Sequence, residues 1–111
     1  MEAKQTSRGH FTVTPKIWSK LVNGAMAVGE QPILHVELRG LPGEPTYRFV
    51  VVLKEWFDES GTRCIEGLHP WVDTLLGLYP RTLPLHPPAV ALTEQQFIDF
   101  KAANESSGSD L

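Results

Sequence analysis

Few residues in this chain have the types and spacings that chemistry needs. Four histidines, His10, His35, His69 and His86, are scattered, and none stands at metal-ligand spacing with another His, Cys or acid on one helical face. His69 and His86 each precede a proline, which favours extended backbone in which the ring packs or caps locally. Asp58 and Glu59 adjoin Ser60-Gly61, a composition for turn formation and solvation rather than paired acid–base work. Ser60 lacks the flanking glycine and the strand-turn-helix setting of a nucleophile elbow. No glycine-rich loop leads into a helix with a phosphate-binding lysine. The single cysteine, Cys64, reads as a packed thiol. The expectation is a protein that is not an enzyme, with no cofactor and no metal.

Binding chemistry is the other possibility. Trp18, Trp56, Trp71, Tyr47 and Tyr79 would make stacking platforms for single-stranded bases if cations were interleaved among them, and Arg48, Lys54 and Arg63 are the candidates. Packing into a core is the simpler use of those rings. The formal charge of −3 argues against a general affinity for phosphate, which calls for surplus Lys and Arg on one surface. The charge is uneven. Lys4, Arg8, Lys16 and Lys20 face only Glu2 in the first twenty residues, whereas the chain from Glu94 onward is net acidic.

The elements that would position these residues are read from periodicity. Pro32 to Leu53 alternates in steps of two: Leu34, Val36 and Leu38 on one face, His35, Glu37 and Arg39 on the other. Tyr47, Phe49, Val51 and Leu53 repeat this after Gly40-Leu41-Pro42-Gly43-Glu44-Pro45, a segment that cannot continue a strand. Val50 and Val52 make the opposite face partly covered as well. Phe11 to Thr14 suits a short strand. Pro15 opens a helix with Ile17, Trp18, Leu21 and Val22, which Asn23-Gly24 would stop. Ala25 to Val28 then reads as an edge strand. Thr62 to Ile65 reads as a returning third strand, and one or two helical turns fit around Val72–Leu76. Thr93 with Gln96 has the spacing of a capping box, so Phe97 and Phe100 fall either on a helix or on a strand beginning at Phe97.

With 111 residues, 41% hydrophobic and 21% charged, the chain suits one domain with a modest core. Residues 1–10 are expected as a flexible arm, 11–103 as the β domain and 104–111 as a disordered tail. The polar start lacks an apolar signal core, and no apolar run reaches the roughly 18–20 residues that span a bilayer, so neither secretion nor a membrane partner is expected. A lone cysteine fits a reducing compartment.

Read in order, Ile17-Trp18, Pro32-Ile33-Leu34-His35-Val36, Gly40-Leu41, Tyr47, Asp58 with Arg63 and Trp71, Leu85-His86-Pro87 and Ile98-Asp99-Phe100-Lys101 form a series. From about Trp18 to Lys101 this series resembles the N-terminal half of a T-box domain, in divergent form. The family has a Leu-Trp helix, a strand entered through proline, a Gly-Leu turn with a following Tyr, a His-Pro-Asp-Ser-Pro loop and a strand of Val/Ile-x-Phe type. The resemblance implies a mainly β fold, a partial immunoglobulin-like (p53-like) sandwich with short helices. It implies a nuclear transcription factor that binds double-stranded DNA and regulates transcription, its grip impaired by the short length. Lys16, Lys20, Arg63 and Lys101 are the DNA-binding candidates it suggests. Trp18, Gly40, Leu41, Tyr47, His86, Pro87 and Phe100 match family landmarks with structural roles.

The departures are specific. Where the family carries Gly-Arg-Arg-Met-Phe-Pro, this chain has Gly29-Glu30-Gln31-Pro32, and a glutamate there repels phosphate. The His-Pro loop has become His86-Pro87-Pro88-Ala89-Val90, without its acid and serine. The competing expectation is a non-catalytic protein-interaction module, a degenerate T-box-like or OB-like β domain that does not bind DNA. PILHVELRG followed by YRFVVV is similar to the first strands of an OB-fold, a similarity that ends after Leu53.

Overall fold

The computed structural model describes residues 2–6, 10–73 and 79–109. Its strands are β1 (Glu2–Thr6), β2 (His10–Thr12), β3 (Ile33–Leu38), β4 (Tyr47–Leu53), β5 (Trp71–Asp73), β6 (Arg81–Leu83) and β7 (Ala89–Thr93). Its helices are α1 (Pro15–Ala27), α2 (Lys54–Asp58) and α3 (Glu94–Ser109). Five strands form one sheet in the order β1-β3-β4-β7-β6, with only β1 and β3 parallel; β2 and β5 make a small antiparallel pair. The mainly β expectation is met.

The alternating patterns explain the layers. Leu34, Val36 and Leu38 of β3 join Phe49, Val51 and Leu53 of β4 in a core closed by Trp18, Leu21 and Val22 of α1 and by Val13 and Val72 beside the small pair. Val50 and Val52 face the other way, joining Val90 and Leu92 of β7 in a second core roofed by Phe57, Phe97 and Phe100. The sheet therefore lies between α1 on one face and α2 with α3 on the other, which is why β4 is buried from Phe49 to Leu53. At about 25 cal/mol per Å², each fully buried Leu or Phe contributes roughly 1.5–3 kcal/mol.

Local signals set the helices. Thr14 caps α1, its hydroxyl accepting from the Ile17 N–H at 3.2 Å, and Pro15 follows where a missing donor costs nothing. Asn23-Gly24 does not stop this helix, and Ala25–Val28 is no edge strand. Ala25 continues the buried stripe of Trp18, Leu21 and Val22, so packing carries the helix through Gly24. It ends at Gly29, whose φ of 72° allows Glu30 N–H to reach the Ala25 carbonyl and Gly29 N–H the Met26 carbonyl. For α3 the capping box forms in both directions. Gln96 N–H donates to Thr93 Oγ1 at 3.2 Å, and Thr93 N–H to Gln96 Oε1 at 2.9 Å. Phe97 and Phe100 thus lie on a helix.

Other expectations change. The arm expected over residues 1–10 contains β1, held by the parallel ladder to β3, and His10 opens β2. Helix α3 continues through Ser109 into the segment expected as a tail. Thr62 to Ile65 is not a strand; Ile65 alone bridges to Arg81. Trp71–Asp73 is strand β5, while the rest of the helical turn expected near Val72–Leu76 lies outside the described residues.

Candidate functional site

The second face of the sheet is only half roofed. A helix is about 10 Å across and strands lie about 4.8 Å apart, so α3, springing directly from β7, covers roughly two strands. The T-shaped contact of Phe97 with His35, ring centroids 6.1 Å apart, marks where the roof ends. Beyond it β3 and β1 are open, and a cleft of about 570 Å³ is lined by Ala3, Gln5, His35, Glu37, Arg48 and Glu94.

Strand register decides which side chains meet there. Period two puts His35 and Glu37 on the face opposite Leu34 and Val36, and the ladders bring Ala3 beside His35, Gln5 beside Glu37 and Arg48 opposite Glu37. Arg39 donates from Nε to Glu37 Oε1 at 2.8 Å. That bond, with the added attraction of Arg48, holds the Glu37 carboxyl below its usual range. Burial lowers the His35 pKa, an effect the nearby Glu94 partly opposes. The cleft thus offers an imidazole biased toward its neutral form and charges of both signs, suited to a polar or extended ligand.

At its outer side the cleft runs into β1, a sheet edge with which no further strand pairs among the described residues. Arg39 N–H donates to the Thr6 carbonyl at 2.8 Å. In a parallel ladder of this register, Lys4 and Thr6 then point their backbone groups at β3, and Ala3 and Gln5 point theirs away. Ala3 and Gln5 are both exposed. The opposite edge is different. Ile65 covers β6, its N–H donating to the Pro80 carbonyl and its carbonyl accepting from Thr82 N–H, both at 2.8 Å. Gly67 fits there because a larger side chain would collide with the Thr82 carbonyl.

No family model, no curated protein and no solved structure matches this chain. Its site is therefore argued from its own geometry.

The cations proposed from sequence do not come together. Lys16 and Lys20 are exposed on α1, and Lys101 is exposed on α3, so the two helices place them on opposite faces of the sheet. Arg63 stands apart in the loop after α2, its guanidinium 5.8 Å from the centre of the Tyr79 ring. Among the landmarks, Trp18 and Pro87 do meet: the fully buried indole donates from Nε1 to the Pro87 carbonyl at 2.7 Å. Phe100 is buried against Trp56 and Phe57, ring centroids 4.9 and 5.3 Å away. Gly40 is tightly packed, since a Cβ there would lie 2.9 Å from the Pro45 carbonyl oxygen. Leu41 and Tyr47 are exposed at the β3–β4 hairpin, and His86 is exposed beside a groove it shares with Lys54 and Cys64.

The sequence reading missed the β1 edge, because Glu2-Ala3-Lys4-Gln5-Thr6 has just one β-branched residue and no apolar alternation. It also missed an aromatic group on the small sheet. The His69 ring stacks on Trp71 at 4.3 Å and His10 approaches the same indole at 5.9 Å. The His-Pro-Trp spacing, a ring two residues ahead of the first residue of β5, was the available signal.

Proposed function

We propose that this chain is a non-catalytic protein-interaction module that takes an extended segment of a partner along β1 and into the adjoining cleft, without binding DNA. The observation that carries this reading is the outward N–H and C=O of Ala3 and Gln5 beside the unroofed half of the sheet. Strand addition supplies main-chain affinity at such an edge, and the cleft side chains supply selectivity. The net charge of −3 and the separation of Lys16 and Lys20 from Lys101 favour it over a duplex binder. Selection of displayed extended peptides on the folded chain tests it. Binders are expected, and Ala3→Pro or Arg48→Glu should remove them without changing the melting temperature. An empty selection, or binders indifferent to both changes, would overturn the reading.

The second reading is a T-box-type transcription factor, built on a partial p53-like sandwich and acting on double-stranded DNA in the nucleus. What favours it is Lys16 and Lys20 one turn apart on the exposed face of α1, a spacing that suits phosphate contact. Anisotropy of a T-box half-site duplex, titrated with salt, separates the two. Specific binding that weakens steeply with salt would establish this second reading, and its absence at low salt would remove it.

A further inference from the structure

We infer that the recess where α1 ends beside α2 is a second interaction site, which takes an arginine side chain of a basic partner segment. It lies at the far end of the β3–β4 pair from Glu37 and Arg48, so it does not rest on the reading of the β1 cleft above. Topology makes the recess. Ile33 pairs with Val52, which brings Pro32, entering β3, beside Leu53, where β4 passes into α2. The end of α1 contributes Met26 and the following Glu30, and α2 contributes Glu55 and Trp56. Together they line a hollow of about 210 Å³. Pro32 and Leu53 are buried, and the half-buried Trp56 is fixed by its T-shaped contact with Phe100.

The hollow carries one sign of charge. Glu30 and Glu55 are exposed, and among the described residues neither carboxylate has an ion pair or a hydrogen bond. Other acids are neutralised: Glu37 by Arg39, Asp58 by Lys54 and Asp73 by Arg81. Lys54, next in sequence to Glu55, is thus already committed elsewhere. The last turn of α1 has no basic residue, so nothing within it offsets the partial negative charge of its carbonyl end. A cation is what this place attracts. The lining then selects the cation. Two carboxylates supply too few oxygens for a hard metal ion. The apolar wall of Met26, Pro32, Leu53 and Trp56 suits a long aliphatic stem with its charge at the tip. Arginine fits better than lysine, because its planar guanidinium stacks on indole and forks onto carboxylate, whereas an ammonium is more strongly hydrated.

An NMR titration of the full chain tests this, with a blocked pentapeptide carrying arginine between glycines and the Trp56 indole N–H as reporter. A saturable shift is expected. The same peptide with citrulline, which keeps the shape and lacks the charge, should bind about fivefold or more weakly. Glu30→Gln and Glu55→Gln should each weaken the arginine peptide about two- to fivefold, and both positions are exposed, so the fold is spared. An indole signal that stays still up to about 10 mM peptide would overturn the inference. Equal binding of the citrulline peptide, or a double variant that binds like the wild type, would do the same. A lysine peptide that binds as tightly would overturn the choice of arginine. Ala3→Pro should leave this titration unchanged, so failure here with peptides still selected at β1 refutes the recess alone.

Discussion

At the residue scale, Trp18 is the side chain on which most converges. Its ring is fully buried in the first core, and its N–H satisfies the Pro87 carbonyl across 69 positions of sequence. Trp18→Phe leaves that carbonyl without its donor and leaves space beside it. A loss of about 2–4 kcal/mol is expected, read from urea unfolding. His35 makes a prediction of opposite character. Its folded pKa lies below its unfolded value because burial disfavours the charged ring. The unfolded chain therefore binds more protons as pH falls below about 6.5, and stability is complete above that value and declines beneath it. His35→Gln should flatten this part of the stability–pH profile, measured by urea midpoints from pH 7.5 to 5; an unchanged slope would assign it to other groups. Both residues stand out in sequence by type, but only Trp18 announced its burial, as part of a helical stripe. The half-burial of His35 on a half-roofed face was not readable, because the roof comes from a helix some sixty residues downstream.

At the element scale, termini are governed by chemistry that is local and therefore legible. The Thr93–Gln96 box starts α3, and Thr93→Ala should cost about 1 kcal/mol in global stability by removing the acceptor for Gln96 N–H. Gly29 ends α1 with a positive φ, and Gly29→Ala should cost a similar amount, roughly 1 kcal/mol, by forcing a Cβ into the left-handed region. Thermal denaturation of each variant checks both, and a null effect at either position would show that its cap is dispensable. The misreadings at this scale have one cause. Asn23-Gly24 is a strong local stop, yet Ala25 is buried one step further along the stripe of Leu21 and Val22, so tertiary contact overrides it. The strand β1 was invisible for the same reason: its partner β3 lies some thirty residues away across a helix, and its own residues have low strand propensity.

At the scale of the whole molecule, the central fact is a sheet with two cores and one shared strand. β4 sends Phe49, Val51 and Leu53 into the first and Val50 and Val52 into the second, so neither core survives without the strand the other needs. Unfolding should be a single cooperative transition. In one and the same chain, the indole signal of Trp18 in the first core and the ring signals of Phe57 and Phe97 in the second, followed by NMR through a urea titration, should give the same midpoint and slope. Curves that separate would show two independent units. The same architecture separates α1 from α3 and divides the basic residues between two surfaces, which is what weighs against a duplex-gripping face.

Periodicity and turn chemistry were enough to determine the β3–β4 hairpin, the start of α1 and the mainly β character, and to offer the cap of α3 as one of two readings, because each depends on residues within a few positions of one another. Strand order, the parallel pairing of β1, the reach of α1 and the division of the cations were decided only when the chain closed on itself. Those features follow from which apolar faces find each other over long separations, and neighbouring residues carry no record of that. The half-roofed face belongs to this second kind: it exists because α3 and the short α2 together are too narrow to cover five strands.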